Sequence, residues 1–194
     1  MRPRFVDAAS GAAAPLSPES PPKVRVFSEG EPGSRARVLS DALERALSFL
    51  GYAPERVVKG QAELWLTASR PVRPGIWLKL EDGGRRADAP EARLNCLRAH
   101  YSRPWAPSPA ELERSRGELA RLREAASLLE SFSGQMPSDR ALAGYRSKLA
   151  SALADDFDAP RALETLWAAL RPGALSPGTR WAALKLADSA LGLL

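Results

Sequence analysis

The chain has 194 residues, of which 44 % are hydrophobic, and this size predicts one large or two small globular domains. A single cysteine excludes an intramolecular disulfide. No apolar run approaches the roughly 20 residues that cross a bilayer, and the start of the chain is too polar for a signal peptide. We therefore expect a cytoplasmic protein without a membrane contact. The net charge of +5 suggests a nucleic-acid partner, but acidic residues are interleaved with the arginines along most of the chain, which argues against a strongly basic surface.

The first part of the chain changes from a low-complexity segment to a strand and a helix. Residues 1–22 are rich in Pro, Ala and Ser and are predicted to be disordered. The alternating pattern "KVRVF" (Lys23–Phe27) predicts a strand. The next segment, "RARVLSDALERALSFLGY", has apolar residues at three- and four-residue steps and predicts an amphipathic helix that ends near Gly51.

Two more strands follow, at "AELWLTA" (Ala62–Ala68) and "GIWLKLE" (Gly75–Glu81), and the turn "EDGGRR" closes the second one. Trp65 and Trp77 alternate with apolar residues in these strands, so we expect both tryptophans in the core. Residues 23–90 therefore read as a small α/β unit.

From residue 91 to the end, the pattern is helical. Apolar stripes recur in several segments that short linkers join, which predicts an antiparallel bundle of four or five helices over residues 91–194. The predicted fold class is thus α+β, with the small α/β unit preceding the bundle.

Three carboxylates lie close together in "ADDFDAPRALETLW", at Asp155, Asp156 and Asp158. A divalent-metal site is one interpretation, although oxygen-ligand sites need further carboxylates from elsewhere in the chain. The favoured interpretation is helix capping: Asp158 lies beside an N-cap with Pro160 in the first turn, and Asp155 and Asp156 end the preceding helix.

Other candidate residues give weaker signals. His100, the only histidine, would need an orienting partner and a nucleophile within reach to act as a general base. Cys96 is expected to be a small core residue rather than a reactive thiolate. The loop "SEGEPGSR" between a strand and a helix offers Ser34 and Arg35 as weak phosphate ligands, but it lacks the spacing of a P-loop or of a dinucleotide-binding loop.

Several of these segments resemble cysteinyl-tRNA synthetases, which are class I aminoacyl-tRNA synthetases. "ADDFDAPRALETLW" resembles the D-D-x-N-T-P-x-A-L stretch in the helical bundle of that family, and "LRAHYSRPWAPSPAELERSRGELARL" (Leu97–Leu122) resembles the entry into the same bundle. "DALERALSFLGYAPERVV" (Asp41–Val58) is similar to the first helix of the catalytic domain and the turn after it. The resemblance covers residues 91–170 well and residues 33–58 less well. It implies that His100 is a structural residue at a helix end rather than a catalytic one.

The chain departs from that family at each catalytic signature. The position of the HIGH signature holds "EPGSR" (Glu31–Arg35), and that of KMSKS holds "EDGGRRADAP" without its lysines. One cysteine and one histidine cannot assemble the zinc site of that family. We therefore expect a reduced relative without catalytic, cofactor or metal-binding residues.

The resemblance implies a non-catalytic module of the translation machinery that docks on a protein partner or on tRNA. We expect a protein partner or self-association through residues 23–85, with tRNA bound weakly at most. The alternative is an enzyme with residual or altered aminoacyl or nucleotide chemistry on the reduced scaffold. Because the family's bundle lies along tRNA, the candidate phosphate contacts are the arginines of its first half: Arg98, Arg103, Arg114, Arg121 and Arg123.

Overall fold

The computed structural model describes residues 2–16, 23–29, 31, 33–71, 75–80, 87 and 89–194. Over these ranges the chain is a mixed α/β protein with six helices, a four-stranded parallel sheet and a two-stranded antiparallel hairpin, which agrees with the predicted class. The strands are β1 (Arg4–Val6), β2 (Ala13–Pro15), β3 (Lys23–Ser28), β4 (Ala53–Val57), β5 (Leu64–Thr67) and β6 (Ile76–Lys79). The helices are α1 (Arg35–Phe49), α2 (Pro90–Arg98), α3 (Pro109–Glu130), α4 (Asp139–Ala154), α5 (Ala159–Leu170) and α6 (Pro177–Leu191).

The parallel sheet has the strand order β4-β3-β5-β6. In its register Val26 pairs with Arg56 on one side and Leu64 on the other, and Trp65 pairs with Trp77. The strands predicted at β3, β5 and β6 are confirmed. Strand β4 was not predicted from the sequence; it lies at an edge, where its Pro54 is tolerated because the outer side of an edge strand needs no ladder hydrogen bond.

Helix α1 covers one face of the sheet, which we call the inner face. Val26, Leu64 and Leu78 on this face are fully buried and share one hydrophobic cluster with Leu43 and Leu47 of α1. The Ser34 side chain caps the helix by accepting a hydrogen bond from the Arg37 N–H. Gly51, with a φ of +89°, follows the helix at the position where the sequence predicts it.

Side chains alternate between the two faces of a strand, so the aromatic residues of the sheet lie on the opposite, outer face. Phe27, Trp65 and Trp77 form one row across paired strands and do not belong to the cluster beneath α1. Trp65 is buried, as predicted, but Trp77 is only half-buried, so its predicted core position is wrong.

The N-terminal segment is ordered where it is described, so the prediction of disorder is wrong for residues 2–16. Strands β1 and β2 pair antiparallel, and Phe5 and Leu16 are buried in the main core. The hairpin also covers the free edge of β6, because the Ala8 N–H donates to the Trp77 carbonyl oxygen over 2.8 Å. The remainder of the segment, residues 1 and 17–22, lies outside the described residues, as does the predicted turn at 81–86.

The helical region begins with α2 at Pro90, one residue before the predicted start at 91. Serine side chains cap α3, α4 and α6 at Ser108, Ser138 and Ser176, and the first turn of α3, of α5 and of α6 contains a proline. The hydrophobic cluster continues from α1 through Leu97 of α2 into Leu166 of α5, so the sheet and the helices share one core. None of the helices in the described ranges is both long and apolar enough to cross a bilayer.

Candidate functional site

The three neighbouring carboxylates have three different environments. The Asp158 side chain accepts a hydrogen bond from the Arg161 N–H over 3.0 Å, which confirms that it caps α5. Asp155 follows the last residue of α4 and is exposed, with Arg161 Nη1 3.8 Å from its carboxylate. No group of three or more His, Cys, Asp or Glu side chains in the described part of the chain could hold a metal ion.

Asp156 directly follows Asp155, the C-cap of α4, as predicted for a residue at the end of that helix, but its carboxylate makes distant contacts that were not predicted. Its Oδ1 atom accepts hydrogen bonds from the Val6 N–H over 2.7 Å and from the Tyr101 hydroxyl over 2.5 Å. Its own N–H donates to the Arg4 carbonyl oxygen over 2.7 Å. We call Arg4, Val6, His100, Tyr101 and Asp156 the Asp156 junction, because these residues join β1, the α2–α3 turn and the α4–α5 turn.

The backbone at the junction is strained. Asp156 and the buried Phe157 have φ angles of 54° and 51°, in the left-handed region that residues with a side chain seldom adopt. Such a conformation persists only where the surrounding contacts determine it. The hydrogen bonds of Asp156 and the burial of Phe157 in the core supply those contacts.

His100 belongs to the same junction, just after the end of α2. Its Nε2 atom lies 3.1 Å from the Asp156 carbonyl oxygen and 3.5 Å from Asp156 Oδ2, and its Nδ1 atom lies 2.8 Å from Ser102 Oγ. Asp, His and Ser are the residue types of a nucleophilic triad. The Ser102 bond, however, spans only two residues, as in a side chain that stabilises its own turn, and the other Asp156 oxygen is committed to β1 and Tyr101.

The two predicted phosphate ligands have structural contacts. Ser34 caps α1, as described above. Arg35 is fully buried, and its guanidinium donates to the Arg103 carbonyl oxygen over 2.6 Å and to the His100 carbonyl oxygen over 3.0 Å. Arg35 therefore points into the protein, where it fixes the α2–α3 turn against α1, and does not present its charge to a phosphate in solvent.

Of the five candidate phosphate contacts, the structure brings three together. Arg98 and Arg114 line one pocket of about 330 Å³, and Arg98 and Arg121 line another of the same volume. We call Arg98, Arg114 and Arg121 the basic face. It also carries acids, because Arg98 pairs with Glu118 and the pockets include Glu111 and Glu164.

The other two candidates lie elsewhere. Arg123 lines a pocket beside Arg93 and the C-terminal residues 192–194, and does not line either pocket of the basic face. Arg103 is exposed in the α2–α3 turn, and its carbonyl oxygen is the acceptor for Arg35. The tRNA surface expected from the sequence is thus reduced to three arginines interspersed with acids.

The sheet has a crevice that was not predicted from the sequence. Strand β3 is the first strand of the parallel sheet in chain order, and β4 and β5 lie on opposite sides of it, so the strand order reverses between β3 and β5. Ligands of open parallel sheets bind beyond the carboxyl ends of the strands at such a point. A pocket of about 420 Å³ lies there, lined by residues from the ends of β3, β4 and β5: Phe27, Glu29, Val58, Lys59, Gly60, Trp65, Thr67, Ser69, Arg70 and Pro71.

This crevice continues onto the outer face of the sheet. Phe27 and Trp65 are shared by both, with their ring centroids 4.9 Å apart, and Val58 at the rim is 84 % exposed. The arrangement presents aromatic and aliphatic surface flanked by Lys59 and Arg70. The crevice could not be predicted from the sequence, because its position depends on the strand order, which long-range pairing determines.

No protein-family model matches the chain, and no curated protein matches it significantly.

Proposed function

We propose that the chain is a non-catalytic module of the cysteinyl-tRNA synthetase type, a reduced class I fold with its helical bundle, which acts by docking on a protein partner. The observation that carries the docking is the aromatic outer face of the parallel sheet. The family assignment rests on the resemblance of residues 91–170, whose Asp-Asp-Phe-Asp-Ala-Pro segment forms the α4–α5 turn.

The environments of Cys96 and His100 support a non-catalytic role. Cys96, the only cysteine, is fully buried in α2, where a thiol acts as a small apolar residue. His100, the only histidine, is hydrogen-bonded within the Asp156 junction. Neither lies at the carboxyl ends of the strands, where an open parallel sheet binds its ligands.

The outer face supports a protein partner because parallel sheets are normally covered on both faces. Helix α1 packs on the inner face, whereas Phe27 and Trp77 on the outer face remain half-buried. Trp65, between them in the row, is buried, so the accessible apolar surface on this side comes from parts of Phe27 and Trp77 and from the exposed Val58. Accessible apolar surface of this kind is typical of protein interfaces. A partner that covers this patch would complete the second layer of the sheet.

A second candidate function is tRNA binding through the basic face. Arg98, Arg114 and Arg121 are adjacent on one surface, as a phosphate-binding site requires. Glu111, Glu118 and Glu164 lie among them, so the attraction for phosphate is reduced. We therefore expect weak tRNA binding that falls steeply as salt rises, whereas an apolar protein contact responds little to salt.

A pair of matched variants tests the docking surface. Val58→Glu places a charge at the rim of the outer face, and Met136→Glu places the same charge at an 88 % exposed position in the helical region. When each form is isolated from its native cells after nuclease treatment, the unmodified chain and Met136→Glu should retain the same stoichiometric protein partner, and Val58→Glu should lose it. Equal retention by both variants would overturn the proposed surface.

The tRNA candidate is tested separately. If tRNA is the partner, the complex is lost on nuclease treatment and on changing Arg114 and Arg121 together to Glu, and Val58→Glu leaves it intact. A tight tRNA complex with those properties at physiological salt would replace the proposed protein partner.

A further inference from the structure

The outer edge of β6 is covered by the N-terminal hairpin. The Trp77 carbonyl oxygen accepts the Ala8 N–H over 2.8 Å, and the Trp77 N–H donates to Asp7 Oδ1 over 3.0 Å. Both main-chain groups of Trp77 therefore point away from β5, towards the hairpin. One of the two partners is a side chain, so this contact is a local cap on the edge and not the ladder of a paired strand.

Backbone alternation shows which groups of β6 face this edge. Ile76 and Leu80 each donate an N–H to a carbonyl oxygen on the β5 side over 2.9 Å. Successive residues of a strand direct their main-chain groups to opposite sides, so those of Trp77 and Lys79 face the outer edge. This edge therefore presents the donors and acceptors that a further strand requires.

The edge of β6 is complementary to itself. A two-fold axis through Trp77, perpendicular to the sheet, places this residue opposite Trp77 of a second copy, where the two exchange N–H···O bonds as in an antiparallel pair. Ile76 then lies opposite Leu78 of the second copy, and both face the same side of the sheet. Lys79 lies opposite Gly75 of the second copy, so no like charges meet.

The other edge of the sheet has its own protection against strand pairing. Strand β4 contains Pro54, which has no N–H to donate, and the charged residues Glu55 and Arg56. Strand β6, with the sequence Ile-Trp-Leu-Lys, has its single charge at its end. An apolar edge strand of this kind associates with other strands unless another part of the chain covers it.

We propose that the hairpin is an autoinhibitory strap that prevents β6 from pairing antiparallel with β6 of a second copy. The strap stays in place because Phe5 and Leu16 are buried in the main core and the Val6 N–H donates to Asp156. Its release opens the edge, and the sheets of two copies join into one continuous sheet. The contact uses the main chain of β6, so it does not depend on the docking surface near Val58, which follows β4 at the other edge.

A matched pair of substitutions in β1 tests the strap. Phe5→Lys places an ammonium in the core and should release the hairpin, whereas Val6→Lys places the same charge at a 40 % exposed position and should leave it attached. Light scattering over a concentration series should show a monomer for the unmodified chain and for Val6→Lys. Phe5→Lys should double its mass as the concentration rises, and its Trp77 amide should lose protection from hydrogen exchange on dilution.

A second released form is available if Phe5→Lys does not unfold cooperatively. Asp7→Ala combined with Asp156→Ala removes the carboxylates that accept the Trp77 and Val6 N–H groups and leaves the core side chains unchanged. It should form the same dimer.

Two substitutions of Lys79 in the released form identify the edge. Lys79→Pro removes an N–H that faces the second copy without breaking the ladder to β5, so it should abolish the dimer; Lys79→Ala keeps that N–H and should retain it. A released form that stays monomeric, or association that Lys79→Pro leaves intact, would overturn the proposal. So would a dimer of the unmodified chain that Lys79→Pro abolishes, because the hairpin would then not block the edge.

Discussion

Asp158 acts on the end of a helix, and its neighbour Asp155 provides the matched comparison. Because the Asp158 side chain accepts the Arg161 N–H at the start of α5, Asp158→Ala should lower the free energy of unfolding by about 0.5–2 kcal/mol. Asp155→Ala removes only an exposed carboxylate and should have little effect. Urea denaturation of both variants measures the difference.

The same pair of carboxylates also tests the metal interpretation. If Asp158 caps α5 and neither carboxylate binds a metal ion, added Mg²⁺ leaves the melting temperature of the protein unchanged. A metal-dependent rise that Asp155→Asn abolishes would show that the carboxylates form a metal site after all.

Asp156 has a larger expected effect, because its carboxylate joins two distant segments. Asp156→Ala leaves the Val6 N–H and the Tyr101 hydroxyl without their acceptor and should cost about 2–3 kcal/mol in the free energy of unfolding. Asp156→Asn keeps an acceptor oxygen and a residue type that tolerates a φ of 54°, so it should cost clearly less. Equal denaturation midpoints for the two variants would contradict the role given to the carboxylate.

At the scale of elements, the N-terminal hairpin connects the sheet to the helical region. Its Asp7 side chain accepts the Trp77 N–H over 3.0 Å at the edge of β6, and its β1 strand supplies the Arg4 and Val6 contacts of the Asp156 junction. The hairpin thus fastens two parts of the molecule that are far apart in sequence.

The attachment of the hairpin should depend on acid. Burial tends to raise the pKa of Asp7. The hydrogen bonds from Trp77, Ser10 and Ala9 outweigh this effect and hold the pKa below 3.8, the ordinary value of an aspartate side chain. A carboxyl whose pKa is lowered by folding stabilises the folded state above its ordinary pKa, and this stabilisation is lost as the pH falls through the folded-state value.

Nuclear magnetic resonance of the Trp77 backbone amide reads this titration locally. The amide proton should shift with a midpoint below pH 3.8, and the step should be missing in Asp7→Asn. A midpoint above pH 3.8 would show that the hydrogen bonds to Asp7 do not stabilise its charged form.

Local patterns predicted some elements well and could not predict others. The strands β3, β5 and β6 and the helix α1 have clear apolar periodicity, so they were found from the sequence. Strand β4, "APERV", has no such pattern, and β1 and β2 are three residues each, so their order depends on the partners they pair with. The formation of these strands depends on tertiary contacts, which a short stretch of sequence does not reveal.

The candidate site residues also differ in whether their partners are near or far in the sequence. The cap at Asp158 was predicted because its partner is three residues away, whereas the acceptor role of Asp156 was not, since its partners lie 55 and 150 positions away in the chain. Arg35 has the sequence context of a phosphate ligand, but its carbonyl acceptors are on the α2–α3 turn. The outer face exists only once strands from distant segments assemble.

At the scale of the whole molecule, the proposed non-catalytic module should not activate an amino acid. The pure protein should give no cysteine-dependent exchange between ATP and pyrophosphate. The zinc site of the resembled family needs cysteine and histidine ligands, whereas here the only cysteine is buried in α2 and the only histidine is held in the Asp156 junction. An intact cysteinyl-tRNA synthetase is the positive control. Exchange above background would favour the alternative of an enzyme on the same scaffold.

The central claim, that the outer face of the sheet docks on a protein, is tested most directly by site-specific photo-crosslinking in the native cells. A photo-reactive amino acid is placed at Val58 on that face and, as the control, at Met136 in the helical region; both side chains are more than four-fifths exposed. The account predicts a light-dependent, nuclease-resistant crosslink from position 58 to one protein, and none to that protein from position 136. Crosslinks to RNA alone, or the same products from both positions, would contradict it.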